Sequence, residues 1–239
     1  MSEVRSVAER GDLFGQRVRE HWASLLGRRL DVLVAGCAHD EPLALDRIET
    51  RVTGADEDHP AIRAVLAERA DLVSWSLGDL RSVPLAPRSY DVIQLSFLLE
   101  RIRHAELVFD RLLQALRPGG LVLLRMRDRG SAYGLLDRLT PSWSRRLLWR
   151  LMVTPGTPGP LPTVYEPLTS SDGMHAFCLS RGLLVTDDMR NVSGPARRRR
   201  ITGAAVAAVA RLTNGRYPAG HDEITMVIKK PQHHFARLL

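Results

Sequence analysis

The sequence has little to spare for covalent reinforcement or for stacking. It holds only two cysteines, Cys37 and Cys178, far apart and outside any C-x-x-C or His/Cys cluster, which argues against a disulfide framework or a zinc site. That usage predicts a reducing, cytoplasmic setting. Aromatic residues make up 5% of the chain and do not interleave with its arginines, so a stacking platform for single-stranded nucleic acid is disfavoured. No apolar run is long enough to span a bilayer, and the opening MSEVRSVAERGDLFG lacks the apolar region of a secretory signal, so no integral membrane association is expected.

What the chain does have is length and apolar content. Its 239 residues, 44% of them hydrophobic, are enough for one substantial core, and a single domain over 1–239 with an insertion is the expected organisation. The net charge of +7 comes mainly from arginine and is densest at Arg197-Arg198-Arg199-Arg200. Such a run could meet phosphate, nucleic acid or an anionic membrane surface, but a solvated turn or helix face explains it more simply.

Strand-like and helix-like segments alternate along the chain. Phe14, Val18, Trp22 and Leu25 recur at helical spacing, giving an N-terminal helical segment within 1–28 that stops at Gly27. Strands are expected at 30–34, 51–55, 72–77 and 91–97, the last almost wholly apolar, as suits a central parallel strand covered on both faces. Asp58-His59-Pro60 reads as the start of a helix, and Ala105, Val108, Leu112, Ala115 and Leu116 form a second helical stripe. Arg117-Pro118-Gly119-Gly120 is expected to end that helix, with a fifth strand over 121–124. This alternation predicts an α/β fold with right-handed crossovers.

After the fifth strand the texture changes. The segment 133–152 has an interrupted helical pattern broken at Pro141, and 155–162 is too rich in proline and glycine for a regular element. The stretch 130–170 is therefore a candidate lid insertion over the strand ends, or equally a linker. A helix over 171–180, a strand over 183–187, an alanine-rich helix over 201–212 and a final strand over 223–229 complete the expected order.

Three stretches carry a family resemblance: Gly78-Asp79-Leu80 running on to Tyr90-Asp91-Val92-Ile93, then Leu98-Leu99-Glu100-Arg101-Ile102, then Leu116-Arg117-Pro118-Gly119-Gly120-Leu121. Together, over about 30–126, they resemble the class I S-adenosylmethionine-dependent methyltransferases of the small-molecule type. The resemblance implies a Rossmann-like sheet of seven mostly parallel strands, the last antiparallel, with helices on both faces. It also implies S-adenosylmethionine as cofactor and S-adenosylhomocysteine as product.

Ligands of open parallel sheets bind past the carboxyl ends of the strands. Gly36 permits a sharp turn and close approach to the main chain, and by resemblance Gly36, Cys37 and Ala38 lie along the methionine part of the cofactor. Asp56 matches the carboxylate that accepts from the ribose hydroxyls, with Glu57 beside it as fallback. Asp79 matches the acceptor for the adenine amino group, Leu80 offers its backbone there, and Ser96 borders the methyl group and substrate. Asp91 matches a residue that anchors the fourth strand, and Glu100 reads as a surface helix residue with no role. The glycine-rich motif is degenerate: Val34, Gly36, Ala38 and Asp40 stand where the family has an acidic residue and alternating glycines. Asp40 could either meet the cofactor's ammonium group or repel its carboxylate.

Gln94-Leu95-Ser96-Phe97 differs from the signature of enzymes that methylate the amines of bases, and no cysteine follows as in enzymes attacking pyrimidine C5. A small-molecule hydroxyl of a sugar, lipid or secondary metabolite is therefore the expected acceptor, rather than nucleic acid. His39, His104, His175, His221 and Tyr165 are candidate bases, none with a partner visible in sequence. The alternative is a binding or auxiliary protein of the same fold with weakened or lost cofactor binding. A homo-oligomer is compatible with either.

Overall fold

The computed structural model describes residues 3–4, 10–39, 42–43, 45, 47–141, 163–192 and 200–232. The glycine- and proline-rich stretch, Asp40 and Arg197–Arg199 lie outside the described residues. Strands and helices in chain order are β1 (Glu3–Val4), α1 (Arg10–Ser24), β2 (Leu30–Ala35), β3 (Thr50–Asp56), α2 (Pro60–Leu66), β4 (Ser74–Leu77), β5 (Tyr90–Ser96), α3 (Ala105–Ala115), β6 (Leu116–Arg127), α4 (Ala132–Leu139), α5 (Ser171–Ser180), β7 (Leu184–Asn191), α6 (Arg200–Leu212) and β8 (Glu223–Lys229).

The sheet runs β1-β7-β8-β6-β5-β2-β3-β4. Strands β4, β3, β2, β5 and β6 are mutually parallel, and β8 is antiparallel to both β6 and β7. This is the expected seven-stranded arrangement with its antiparallel last strand. The two-residue β1, which pairs with the edge of β7, is an addition that the sequence did not signal. Strand order reverses between β2 and β5, so the ligand crevice falls at their carboxyl ends.

Two apolar layers sandwich the sheet. On one face Phe14 and Val18 of α1 and Ile62 and Leu66 of α2 pack against Leu30, Val32, Val34 and Val92. On the other, Val108, Phe109 and Leu112 of α3 and Met174, Phe177 and Cys178 of α5 cover Leu33, Ile93, Leu95, Val122 and Met226. Alternate residues of β2 thus feed opposite layers, the period-two consequence of a strand covered on both sides.

The Pro-Gly-Gly segment differs from the sequence expectation. Helix α3 stops at Ala115, and β6 begins at Leu116, so Arg117-Pro118-Gly119-Gly120 lies inside the strand rather than before it. Pairing moves from Tyr90↔Leu116 to Val92↔Leu121, so the extra residues bulge out of β6. Gly119 holds φ +83°, and a side chain at Gly120 would put its Cβ 2.8 Å from the Asp91 carbonyl oxygen. Proline and glycine here permit a bulge, which also satisfies the pattern read as a helix stop.

That bulge brings Arg117 to Asp91. The buried Asp91 carboxylate accepts from Arg117 Nη1 at 2.6 Å, from Arg28 Nη1 at 3.1 Å and from the Asp31 backbone N–H at 3.0 Å, tying together the amino ends of β2, β5 and β6. Asp91 is therefore a structural anchor, as the resemblance implied. Burial pushes its carboxyl up, but the bonds from Arg28, Asp31 and Arg117 outweigh burial and hold it below the usual carboxylate range.

Asp91→Ala is expected to cost about 2 kcal/mol of stability at neutral pH in urea unfolding, since both arginines remain partly hydrated. Because the folded state lowers this carboxyl, its stabilisation is present above the ordinary value of 3.8 and is lost as pH falls through the lowered one. The gap between wild type and variant should therefore close on acidification.

Candidate functional site

A cleft of about 660 Å³ opens at the carboxyl ends of β3 and β4, lined among others by Glu57, Asp79, Leu80, Arg101, Ile102 and Val164. The turn after β2 lies behind Arg101, which lines the cleft. Gly36 holds φ +80°, and a Cβ there would stand 2.9 Å from the Ser96 carbonyl oxygen and 3.0 Å from Leu98 Cβ, so only glycine fits. Cys37 and Ala38 follow in a short 3-10 turn and are buried. Arg69 donates to the Cys37 carbonyl at 2.8 Å and holds that turn from outside.

Asp56, the last residue of β3, has no exposed surface. Its carboxylate accepts from the Glu57 N–H at 2.8 Å, from the Ala38 N–H at 3.2 Å and from Arg101 Nη2 at 3.2 Å. Asp56 thus stitches the turn after β2 to the end of β3, and Glu57 rather than Asp56 faces the cleft. Burial raises the Glu57 carboxyl, with the nearby Arg101 charge opposing that rise.

Asp79 stands exposed at the turn after β4, where Arg81 grips it through Nε at 2.8 Å, Nη2 at 2.7 Å and its backbone N–H at 2.9 Å. The Arg81 side chain, then the amide, hold the Asp79 carboxyl down at about 2. Leu80 beside it is buried, and Ser96 lies buried at the end of β5 with its carbonyl against Gly36. The cofactor residues expected from sequence thus gather at the carboxyl ends of β2, β3, β4 and β5.

The neighbouring pole, past β5 and β6, holds residues that sequence reasoning missed. Glu100 is not on the surface: it is buried, and burial pushes its carboxyl up to about 7. Its Oε1 accepts from the Arg127 N–H at 3.3 Å, while its Oε2 finds no hydrogen-bond partner among the described residues. The Arg127 guanidinium lies 4.9 Å from the Phe97 ring centroid and 5.4 Å from that of Tyr133. Phe97, His104 and Tyr165 all adopt left-handed backbone, at φ 54°, 59° and 52°. Such strain in non-glycine residues persists only where the surroundings over-determine it. The visible signal was the pair Glu100-Arg101 inside the apolar run Phe97-Leu98-Leu99 and Ile102, since charges embedded in such a run are often buried.

The candidate bases scatter. His104 lines the cleft. His175 is exposed on α5, 3.0 Å from Asp188. His221 is buried and its Nε2 lies 2.7 Å from Asp128 Oδ2, just past β6. Tyr165 is buried, with its hydroxyl donating to Asp137 at 2.8 Å. His39 lies in the 3-10 turn after β2.

This sheet order, with its antiparallel last strand, is that of the class I S-adenosylmethionine-dependent methyltransferase fold. Residues 30–124 match the family model described as a methyltransferase domain. A protein from Galdieria sulphuraria described as a sarcosine dimethylglycine methyltransferase superposes with a TM-score of 0.55 at 13% identity, over 94% of this chain and 86% of that one. The methyltransferase in a Haloferax volcanii complex with the Trm112 methyltransferase activator gives 0.53 at 16% identity, over 96% and 99%. The [4+2]-cyclase SpnF gives 0.51 at 15% identity, over 92% and 81%. At these identities the likeness is one of fold. No match was found among curated protein sequences. No helix among the described residues is long and apolar enough to cross a membrane.

Folding raises the Glu100 carboxyl from 4.5 to about 7, so stability should decline as pH rises through that window and level off above it. Glu100→Gln should flatten this decline, a difference of about 3 kcal/mol at most, read from urea unfolding on either side of the window.

Proposed function

We propose that this protein transfers a methyl group from S-adenosylmethionine to a hydroxyl of a small metabolite, such as a sugar, lipid or secondary metabolite. The observation that carries this reading is the cleft itself. Two carboxylates, Glu57 and Asp79, stand at its border one strand apart, beside a turn at Gly36 that tolerates no side chain. Carboxylates accept hydrogen bonds without donating, which suits ribose hydroxyls at one end and an adenine amino group at the other.

In this reading Asp56 and Glu57 serve the ribose, Asp79 and the Leu80 backbone serve the adenine, Gly36, Cys37 and Ala38 run along the methionine part, and Ser96 borders the methyl group. When bound, S-adenosylmethionine supplies a methyl group on a positively charged sulfur, so the leaving group is already activated. The chain's task is then to hold the acceptor oxygen in line with the carbon–sulfur bond and to receive the proton it loses. The oxygen–carbon bond forms as the carbon–sulfur pair passes to sulfur, leaving S-adenosylhomocysteine. Glu100, buried past β5 with one unpartnered oxygen and a value near neutrality, is suited to hold that proton. Thr163 and Val164, at the end of the 130–170 stretch, stand on the cleft wall.

One observation favours the second reading, a binding or auxiliary protein. Val34, buried where the family has an acidic residue, offers no acceptor to the cofactor's ammonium group.

Calorimetric titration with S-adenosylhomocysteine decides between them. Wild type should bind, and Asp79→Ala should weaken binding roughly tenfold, the lower end for a lost charge-assisted bond because Arg81 already shares that carboxylate. No heat at millimolar ligand, from wild type and from Arg101→Ala alike, would remove the methyltransferase reading in favour of the second. Release of S-adenosylhomocysteine with hydroxylated metabolites, and not with oligonucleotides, is the result expected for the acceptor class.

A further inference from the structure

The guanidinium of Arg101 occupies the ground between the two ends of the cofactor seat. It lines the cleft, whereas Asp56 behind it does not. Its Nη2 bonds Asp56 Oδ1 at 3.2 Å and also stands 3.4 Å from where a Cβ on Gly36 would be. The group therefore bridges the end of β3 and the turn after β2. A ligand reaching from the Gly36 turn to the Asp56 carboxylate must pass through this volume.

Arg101 is poorly satisfied in that position. Its side chain is only 5% exposed, yet Nε and Nη1 find no hydrogen-bond partner among the described residues. A buried donor left unpaired carries its full desolvation cost, so this guanidinium is easier to displace than a fully bonded one. Glu57, whose carboxyl already feels the Arg101 charge, lies on the cleft wall as an alternative partner. Hydroxyl donors supplied by a ligand can take over the Asp56 oxygen that Arg101 now holds.

From these contacts we infer that Arg101 is a resident competitor for the ribose seat, an affinity-setting residue that the adenosyl ligand must displace from Asp56. This inference rests on the cofactor reading above. Occupancy of the seat by Arg101 lowers apparent affinity by the fraction of molecules in which the seat is free.

The test is titration of the full chain with S-adenosylhomocysteine, comparing wild type with Arg101→Ala and with Arg101→Gln, the latter keeping a polar group near Asp56 in case the alanine variant unfolds. Thermal melts without ligand establish that each variant is folded. Both variants should bind roughly tenfold tighter than wild type. The gain should vanish when Asp56→Ala is combined with Arg101→Ala, because the competition is for that carboxylate. Heat seen only in the Arg101 variants would be the strongest form of the same result. If wild type binds and the variants bind equally or more weakly, Arg101 is no competitor and the inference fails while the cofactor reading stands. If none binds at millimolar ligand, the cofactor reading falls and the inference falls with it.

Discussion

A carboxylate with no exposed surface must have its charge answered by the protein, and at Asp56 three separate parts of the chain supply the answer. The Ala38 amide comes from the turn after β2, the Glu57 amide from the end of β3, and the Arg101 guanidinium from the loop after β5. These are the three strand ends that border the crevice where strand order reverses. The seat is therefore shaped by electrostatic necessity at one buried charge, and each strand end is positioned with respect to the other two. Taking away a member without a substitute leaves a buried charge short of a partner, so whatever displaces one must bring its own hydrogen bond.

The sheet has a charged anchor at each pole, with different consequences. At the amino ends, Asp91 meets Arg28, Arg117 and the Asp31 amide, and both arginines keep contact with solvent. This anchor fixes β5 between β2 and β6. At the carboxyl ends, the Asp56 partner Arg101 is nearly sealed and only partly bonded. One pole is satisfied and the other retains unspent hydrogen-bonding capacity. A ligand would gain most at the second pole, where polar groups await partners.

Much of this was legible in the sequence. Alternating apolar strands and amphipathic helices placed β2, β3, β4 and β5 closely, since burial on both faces leaves a near-continuous apolar run such as that of β5. β8 was matched in full because its alternation was flanked by clear breaks. Boundaries failed where one residue pattern serves two structures: Pro118-Gly119-Gly120 looks the same whether it ends a helix or bulges a strand. The positions of Asp79 and Gly36 at the ends of β4 and β2 were readable because each answers to a local backbone need. Glu100 and Arg101 were not, because their burial depends on β3, β6 and the 163–166 stretch, all distant in sequence. Helical-looking charges read as surface unless the tertiary partner is known.

The loop after β5 also joins the two halves of the site. The Glu100 carbonyl accepts from the Val164 N–H at 2.7 Å and the Tyr165 N–H at 3.1 Å, and the Glu166 carboxylate accepts from the His104 N–H at 2.6 Å and the Ala105 N–H at 2.8 Å. The Glu166 bonds answer free amide groups at the start of α3, as a capping carboxylate does. The chain returning from the candidate lid is thus fastened on both sides of Arg101. Movement of Arg101 away from Asp56 must be accommodated by a loop whose flanks are held by that returning segment. The loop after β5 and the 163–166 stretch are consequently held to one another through six consecutive residues, Glu100 to Ala105, beside a sheet whose strands are too well packed to shift.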